Sequence, residues 1–236
     1  MTRPFEPGDA PRAVLVDLDG PLTRLFPDPR HFELAARLAQ QLPTHSESPS
    51  SEAHDHIEIL RYAAENHPDR VSSLESIAAE AELSAAATAK PAAGGGAFLR
   101  AAKDAGYAVA VVSNNADPAV RLALKTCGLA DLVDEVSARA GTALFRLKPA
   151  PDLILDAMGA LGVAAAHCTF YGDTVSDVIA GQRAGLRVVG VTHDLKRTTQ
   201  LLAEGAVGVV HNLGEAVDLL PPDVQATHLP AKGMSP

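Results

Sequence analysis

Short apolar runs alternate with amphipathic stretches over most of the chain. Residues 14–16, 109–112, 169–171 and 188–191 are rich in β-branched and aromatic side chains, too short for helices, and bounded by polar or glycine positions. Such runs read as strands buried on both faces. Weaker strand patterns fall at 133–136 and 207–210, and helical periodicity fills the intervals at 98–105, 118–125, 152–161, 175–184, 198–204 and 213–220. Strand and helix in strict alternation imply right-handed crossovers and a sheet covered on both sides. The expected fold class is therefore α/β, with a Rossmann-like, mainly parallel three-layer sandwich as its core.

Between Thr23 and Lys90 the strand pattern disappears. Three helical patterns replace it, at 32–42, 57–64 and 74–83, and in the last of them Leu74, Ile77, Ala78 and Ala81 keep the spacing of a one-sided apolar stripe. The expected organisation is a core made of residues 1–23 and 91–220, a small α-helical cap at 24–90 and a fraying tail at 221–236. Hinges are expected near 22–26 and 91–96, with a loop at 46–51 inside the cap. Gly94-Gly95-Gly96 neither follows a strand nor ends in the Lys-Ser/Thr of a phosphate loop, so it reads as hinge and helix entry.

The polar residues at the ends of the apolar runs carry the chemistry. The first run ends in Asp17 and Asp19, which point the same way in an extended chain and place two like charges together. The second ends in Ser113, Asn114 and Asn115; Lys148 precedes Pro149; the run at 169–171 ends in Gly172-Asp173, with Asp177 one helical turn beyond. Like charges four apart destabilise a helix by about 0.2–0.5 kcal/mol. A divalent cation would offset the cluster, and Mg²⁺ suits it, because it takes oxygen ligands from a few carboxylates and a substrate phosphate. Helix N-capping is an alternative role for Asp173. In an open parallel sheet the strand ends face one crevice, where ligands bind.

In this ordered set, Asp17-x-Asp19, Ser113, Lys148 and Gly172-Asp173 with Asp177, the chain resembles the haloacid dehalogenase-like (HAD) hydrolase superfamily. The resemblance runs from about residue 13 to 220, and residues 148–191 look most like its phosphoglycolate phosphatase branch. It implies a phosphatase acting on a small phosphorylated metabolite through an aspartyl-phosphate. Asp17 would be the nucleophile and Asp19 the acid/base. Ser113, the Asn114 backbone amide and Lys148 would hold the phosphoryl group, while Asn115 packs or caps. Asp17, the Asp19 carbonyl and Asp173 would bind Mg²⁺, with Asp177 in support. Pro21 departs from the pattern, which most often has Thr there; the expected phosphate-facing donors are the amides of Leu18 and Asp19, so Pro21 bears on the path into the cap and not on the reaction.

Related chemistries are separable. A dehalogenase lacks the second aspartate, and a Schiff-base phosphonatase needs a cap lysine, whereas no Lys lies between Arg24 and Ala89. A phosphomutase of the β-phosphoglucomutase type keeps the same core residues and stays open, as does a non-catalytic binding module on the same fold. Arg24 and Arg61 could reach a leaving group from the hinge and cap.

Charge and composition narrow the partners. The 236 residues carry 20 basic and 29 acidic side chains, a formal charge of −9, with no basic, aromatic-interleaved patch for nucleic acid. No segment nears the ~20 apolar residues of a membrane span, and residues 1–11 lack a signal-like apolar core, so a cytoplasmic monomer or homodimer is expected. Cys127 and Cys168 read as buried thiols. His31, His54, His56 and His67 match no common ligand spacing and read as solvated cap residues.

Overall fold

The computed structural model describes residues 12–26, 30–43 and 55–220. The readings for residues 1–11, 46–51 and 221–236, for His54 and for the His31 side chain lie outside them. Strand β1 (Ala13–Val16) is followed by a two-stranded antiparallel ribbon, β2 (Thr23–Arg24) with β3 (Lys90–Pro91), which encloses three helices: α1 (Arg30–Ala39), α2 (His56–Asn66) and α3 (Val71–Ala86). Beyond the ribbon the alternation is regular: α4 (Gly95–Asp104), β4 (Ala108–Ala116), α5 (Asp117–Thr126), β5 (Glu135–Arg139), α6 (Asp152–Leu161), β6 (Cys168–Gly172), α7 (Val175–Arg183), β7 (Arg187–Val191), α8 (Leu195–Ala203) and β8 (Gly208–Val210).

All six long-sheet strands run parallel in the order β5-β4-β1-β6-β7-β8. Successive side chains of a strand point to opposite faces, and the core divides accordingly. Ala13 and Leu15 join Ala110, Val112, Phe170 and Val188 under α6 and α7, while Val14 and Val16 join Val109, Val111, Tyr171 and Val189 under α4 and α5. The result is a three-layer α/β sandwich of Rossmann type with a helical insertion after its first strand. Among the described residues no helix is long and apolar enough to cross a membrane.

Two elements depart from the periodicity. Strand β4 continues through Ser113, Asn114 and Asn115 to Ala116, with a register shift against β5 between Ser113 and Ala116. Polar residues at a strand's end give no apolar signal, so the pattern stops short. The helix expected at 213–220 is a 3₁₀ segment, Glu215–Leu219. Gly94 caps α4 at φ 78°, and a side chain there would collide with the Gly214 backbone at 2.2 Å, which agrees with its reading as helix entry.

Candidate active site

The C-terminal ends of β1, β4 and β6 open into a cavity of about 870 Å³ lined by Asp17, Asp19, Ser113, Asn114, Lys148, Asp173 and Asp177 among others. The residues expected to act on phosphate and metal therefore reach one place. Parallel pairing is the reason: β1 hydrogen-bonds to both β4 and β6 in matched register, so three strand tips end side by side.

Lys148 sits at the centre and is almost fully buried. Its Nζ lies 2.6 Å from Asp17 Oδ1 and 2.7 Å from Asp177 Oδ1, and donates to the Val112 carbonyl at 3.0 Å. Burial opposes its charge, but Asp17 and Asp177 outweigh that and hold the ammonium above the ordinary lysine range. Its backbone is fixed by Asn114: the Lys148 amide donates to Asn114 Oδ1 at 2.8 Å, and Asn114 Nδ2 donates to the Lys148 carbonyl at 3.0 Å. The same carbonyl accepts a bond from Arg61 Nη2 on α2. Arg61 is thus engaged with the Lys148 main chain, whereas Arg24 lines the cavity. Ser113 is buried, its Oγ accepting from the Asn115 amide at 3.2 Å.

Asp177 opens α7 in a capping box. Its Oδ2 accepts from the amides of Asp173 and Thr174 and from Thr174 Oγ1, while its own amide donates to Thr174 Oγ1. Asp173 precedes this helix and is not its cap. Asp173 Oδ2 accepts from Arg197 Nη1 at 3.1 Å; Oδ1 is buried and has no hydrogen-bond partner among the described residues. One carboxylate oxygen each from Asp17, Asp173 and Asp177 can be chosen so that all lie within 4.8 Å of one another.

Burial pushes the Asp17 carboxyl up to about 7; Lys148 opposes the rise, and Asp177 and Asp19 add to it. Asp173 is raised well above the carboxylate range by burial and by its neighbours Asp17 and Asp177. One lysine and one half-exposed arginine do not neutralise this cluster. An orphaned, buried oxygen among hard anionic donors fits a small divalent cation, so the donor set suits Mg²⁺.

Asp19 belongs to the turn leading into β2 as much as to the cluster. Its Oδ1 accepts from the Leu25 amide at 2.7 Å, just after β2. The turn before it closes through Gly20 N to Thr23 O at 2.8 Å and through the amides of Leu22 and Thr23 to Leu18 O. Pro21 therefore deletes no donor used among these turn bonds. Gly20 has φ 112°, and a Cβ there would stand 2.6 Å from Asp173 Oδ2. Only glycine satisfies both that dihedral and that contact.

Several residues at the site escaped sequence reading. Arg197 comes from α8, where only its position just past a strand end hints at a role. Thr174 was legible as the first member of a Thr-x-x-Asp capping pattern. His56 corrects the expectation of a solvated cap histidine: it is 5% exposed, with Nε2 2.7 Å from Glu82 Oε1. Burial of the Glu82 partner on α3 draws the ring inward. The two cysteines are free, Cys168 buried and Cys127 half-buried, and burial raises both thiols.

The chain is similar to known proteins to different extents. The chain is 38% identical over 96 residues to part of an imidazoleglycerol-phosphate dehydratase of Phytophthora nicotianae, covering 35% of this chain and 21% of that protein. It is 32% identical over 119 residues to a phosphoglycolate phosphatase of Pectobacterium atrosepticum, covering 50% of this chain and 43% of the relative. The matched stretches thus span less than half the length of these curated relatives. CbbY from Rhodobacter sphaeroides, crystallised in complex with phosphate, matches with a TM-score of 0.66 at 20% identity over 87% of this chain and 96% of that one, a likeness of fold. A family model matches residues 11–185, a stretch that begins ahead of β1, ends past α7 and takes in the tips of β1, β4 and β6; the chain belongs to the haloacid dehalogenase-like hydrolase family.

Proposed function

We propose that the protein is a divalent-cation-dependent phosphatase that hydrolyses a small phosphomonoester through an aspartyl-phosphate on Asp17. The observation that carries this reading is the bridging of Asp17 and Asp177 by Lys148, beside an Asp173 oxygen with no hydrogen-bond partner among the described residues. That arrangement would provide a nucleophile, a fixed positive charge and carboxylate donors for a cation where the tips of β1 and β6 meet. The phosphatase names of curated relatives support the reading as well.

Asp17 attacks phosphorus, the bond to the substrate oxygen breaks, and Asp19 gives that oxygen a proton. Asp19 then takes a proton from water, whose oxygen attacks the aspartyl-phosphate and releases inorganic phosphate. Splitting the reaction this way replaces one difficult step with two easier ones. Ser113 Oγ, the Asn114 amide and Lys148 Nζ hold the equatorial oxygens, the kind of preorganised donors that contribute most to such reactions. Asp17, the Asp19 carbonyl and Asp173 would hold Mg²⁺, with Asp177 supporting them. Bound there, Mg²⁺ supplies charge neutralisation for the phosphoryl oxygens.

The test is turnover of p-nitrophenyl phosphate and of a panel of small phosphomonoesters, with and without Mg²⁺. Release of inorganic phosphate that EDTA abolishes and Mg²⁺ restores is the expected result. An isomerised sugar phosphate as product would establish a phosphomutase instead, and metal-dependent binding of phosphate without turnover would establish a binding module.

A further inference from the structure

Behind the catalytic crevice lies a buried ionic network that nothing in the proposed reaction uses. Arg139, the last residue of β5, is 2% exposed and carries four charge-assisted contacts. Nη1 donates to Glu75 Oε1 at 2.6 Å, and Nη2 to the two oxygens of Glu82 at 2.5 and 2.6 Å; Nε donates to the Asn114 carbonyl at 3.0 Å. Glu82 is fully buried on α3 and also holds His56 of α2 and, at 2.7 Å, the Ala116 amide. Burial works against the charge of Glu82, yet His56, Arg139 and the Ala116 amide overcome it and lower its carboxyl below the ordinary range.

Mere docking of the insertion does not call for this chemistry. Buried ion pairs are often replaceable by apolar side chains without loss of stability, because desolvation offsets their attraction. What an ionic contact provides over an apolar one is a single geometry. Here that geometry is imposed on the Asn114 carbonyl and the Ala116 amide, across the register shift where β4 delivers Ser113 and Asn114 to the crevice. Asn114 in turn holds the Lys148 main chain through both arms of its carboxamide.

We infer that Arg139 and Glu82 are positioning residues, through which the docked helical insertion sets the tip of β4 and, by way of Asn114, the placement of Lys148. The inference rests on the phosphoryl-transfer reading for its effect on rate, but the relay itself is readable without turnover. The insertion is then a brace for the transfer site as well as its cover.

The test compares Arg139→Lys, the double change Arg139→Met with Glu82→Met, and Asn114→Ala alone and combined with Arg139→Lys. The double Met variant removes both buried charges together and so keeps the question open to measurement where the single change unfolds. Amide hydrogen exchange should rise about ten-fold or more at Lys148 and Ala116 while the amides of β6 and β7 keep their protection. On p-nitrophenyl phosphate well below Tm, kcat should fall about 10- to 100-fold with little change in KM, the scale of loss expected from a small misplacement. Arg139→Lys should cost nothing further in the Asn114→Ala background. Folded variants with wild-type kcat and unchanged exchange at Lys148 would overturn the inference, and additive losses with Asn114→Ala would overturn the route through Asn114. A wild-type protein inactive on every phosphoester would remove the phosphatase reading, while the exchange data still decided the relay.

Discussion

Asn114 and Lys148, 34 positions apart in the chain, close a two-bond ring: amide to Oδ1 at 2.8 Å and Nδ2 to carbonyl at 3.0 Å. This side-chain clasp differs from the backbone role proposed for Asn114 and does not compete with it, since the clasp uses only the carboxamide. Asn114→Ala should leave Lys148 charged but loosely held. A loss of about 10²-fold in kcat is expected, the usual scale for slight misplacement of a catalytic group. Steady-state kinetics alongside a melting curve checks it; wild-type kcat in the folded variant would remove the clasp from catalysis.

The proposed roles of Asp17 as nucleophile and Asp19 as acid/base are separable by substitution. Asp17→Asn should abolish turnover and the covalent intermediate while the fold survives. Asp19→Asn keeps the backbone carbonyl and should lose about 10²–10⁴ in rate, the usual contribution of general acid/base catalysis. The loss should be smaller with p-nitrophenyl phosphate, whose leaving group needs little protonation, than with an alkyl phosphate. Equal impairment on both leaving groups, in a step shown to be leaving-group departure, would rule out proton transfer by Asp19.

Mg²⁺ binding should depend on pH in a defined direction. Burial pushes the Asp17 carboxyl up to about 7 and raises that of Asp173, so at lower pH protons compete for their oxygens. Affinity should therefore climb with pH as protons leave the oxygens of Asp17 and Asp173. Calorimetric titration between pH 5.5 and about 8.5 reads this out. Asp173→Asn should weaken binding more than Asp177→Asn. Affinity independent of pH would place the cation elsewhere.

Glu82 predicts the acid side of the stability profile. Its folded carboxyl lies below the ordinary 4.5, so the unfolded chain binds the proton first. The stabilisation is complete above 4.5 and drains away as pH falls through the lowered value. Urea midpoints followed from neutral to acid pH should drop below that point in the wild type, and Glu82→Gln should be weaker at neutral pH with a shallower acid decline. Parallel profiles would show that Glu82 does not carry the acid sensitivity.

The sequence made the sheet legible because its strands are apolar on both faces and its helices are not. The crevice was legible too, since polar residues at strand ends stand out against such runs. Long-range polar contacts were harder to see. Glu82 follows Leu74 and Ala78 on the buried stripe of α3, ahead of Ala85, whereas Ile77 and Ala81 are only partly buried. A carboxylate on an apolar stripe signals a buried partner without naming it, and Arg139 sits 57 residues away. The ribbon of β2 and β3 escaped for another reason: two residues per strand carry no periodicity.

That ribbon also bears on how such a protein can change over generations. Thr23 faces Pro91 and Arg24 faces Lys90, so the insertion leaves and rejoins the sheet domain at adjoining points, about 5 Å apart. A segment of almost any length can be threaded through such a gate without moving a strand, which makes the insertion the natural place for a lineage to exchange one helical segment for another. The exchange is not unconstrained. Whatever is threaded in must present a carboxylate where Glu82 now meets Arg139, or the inherited arginine is left charged and stranded in the interior.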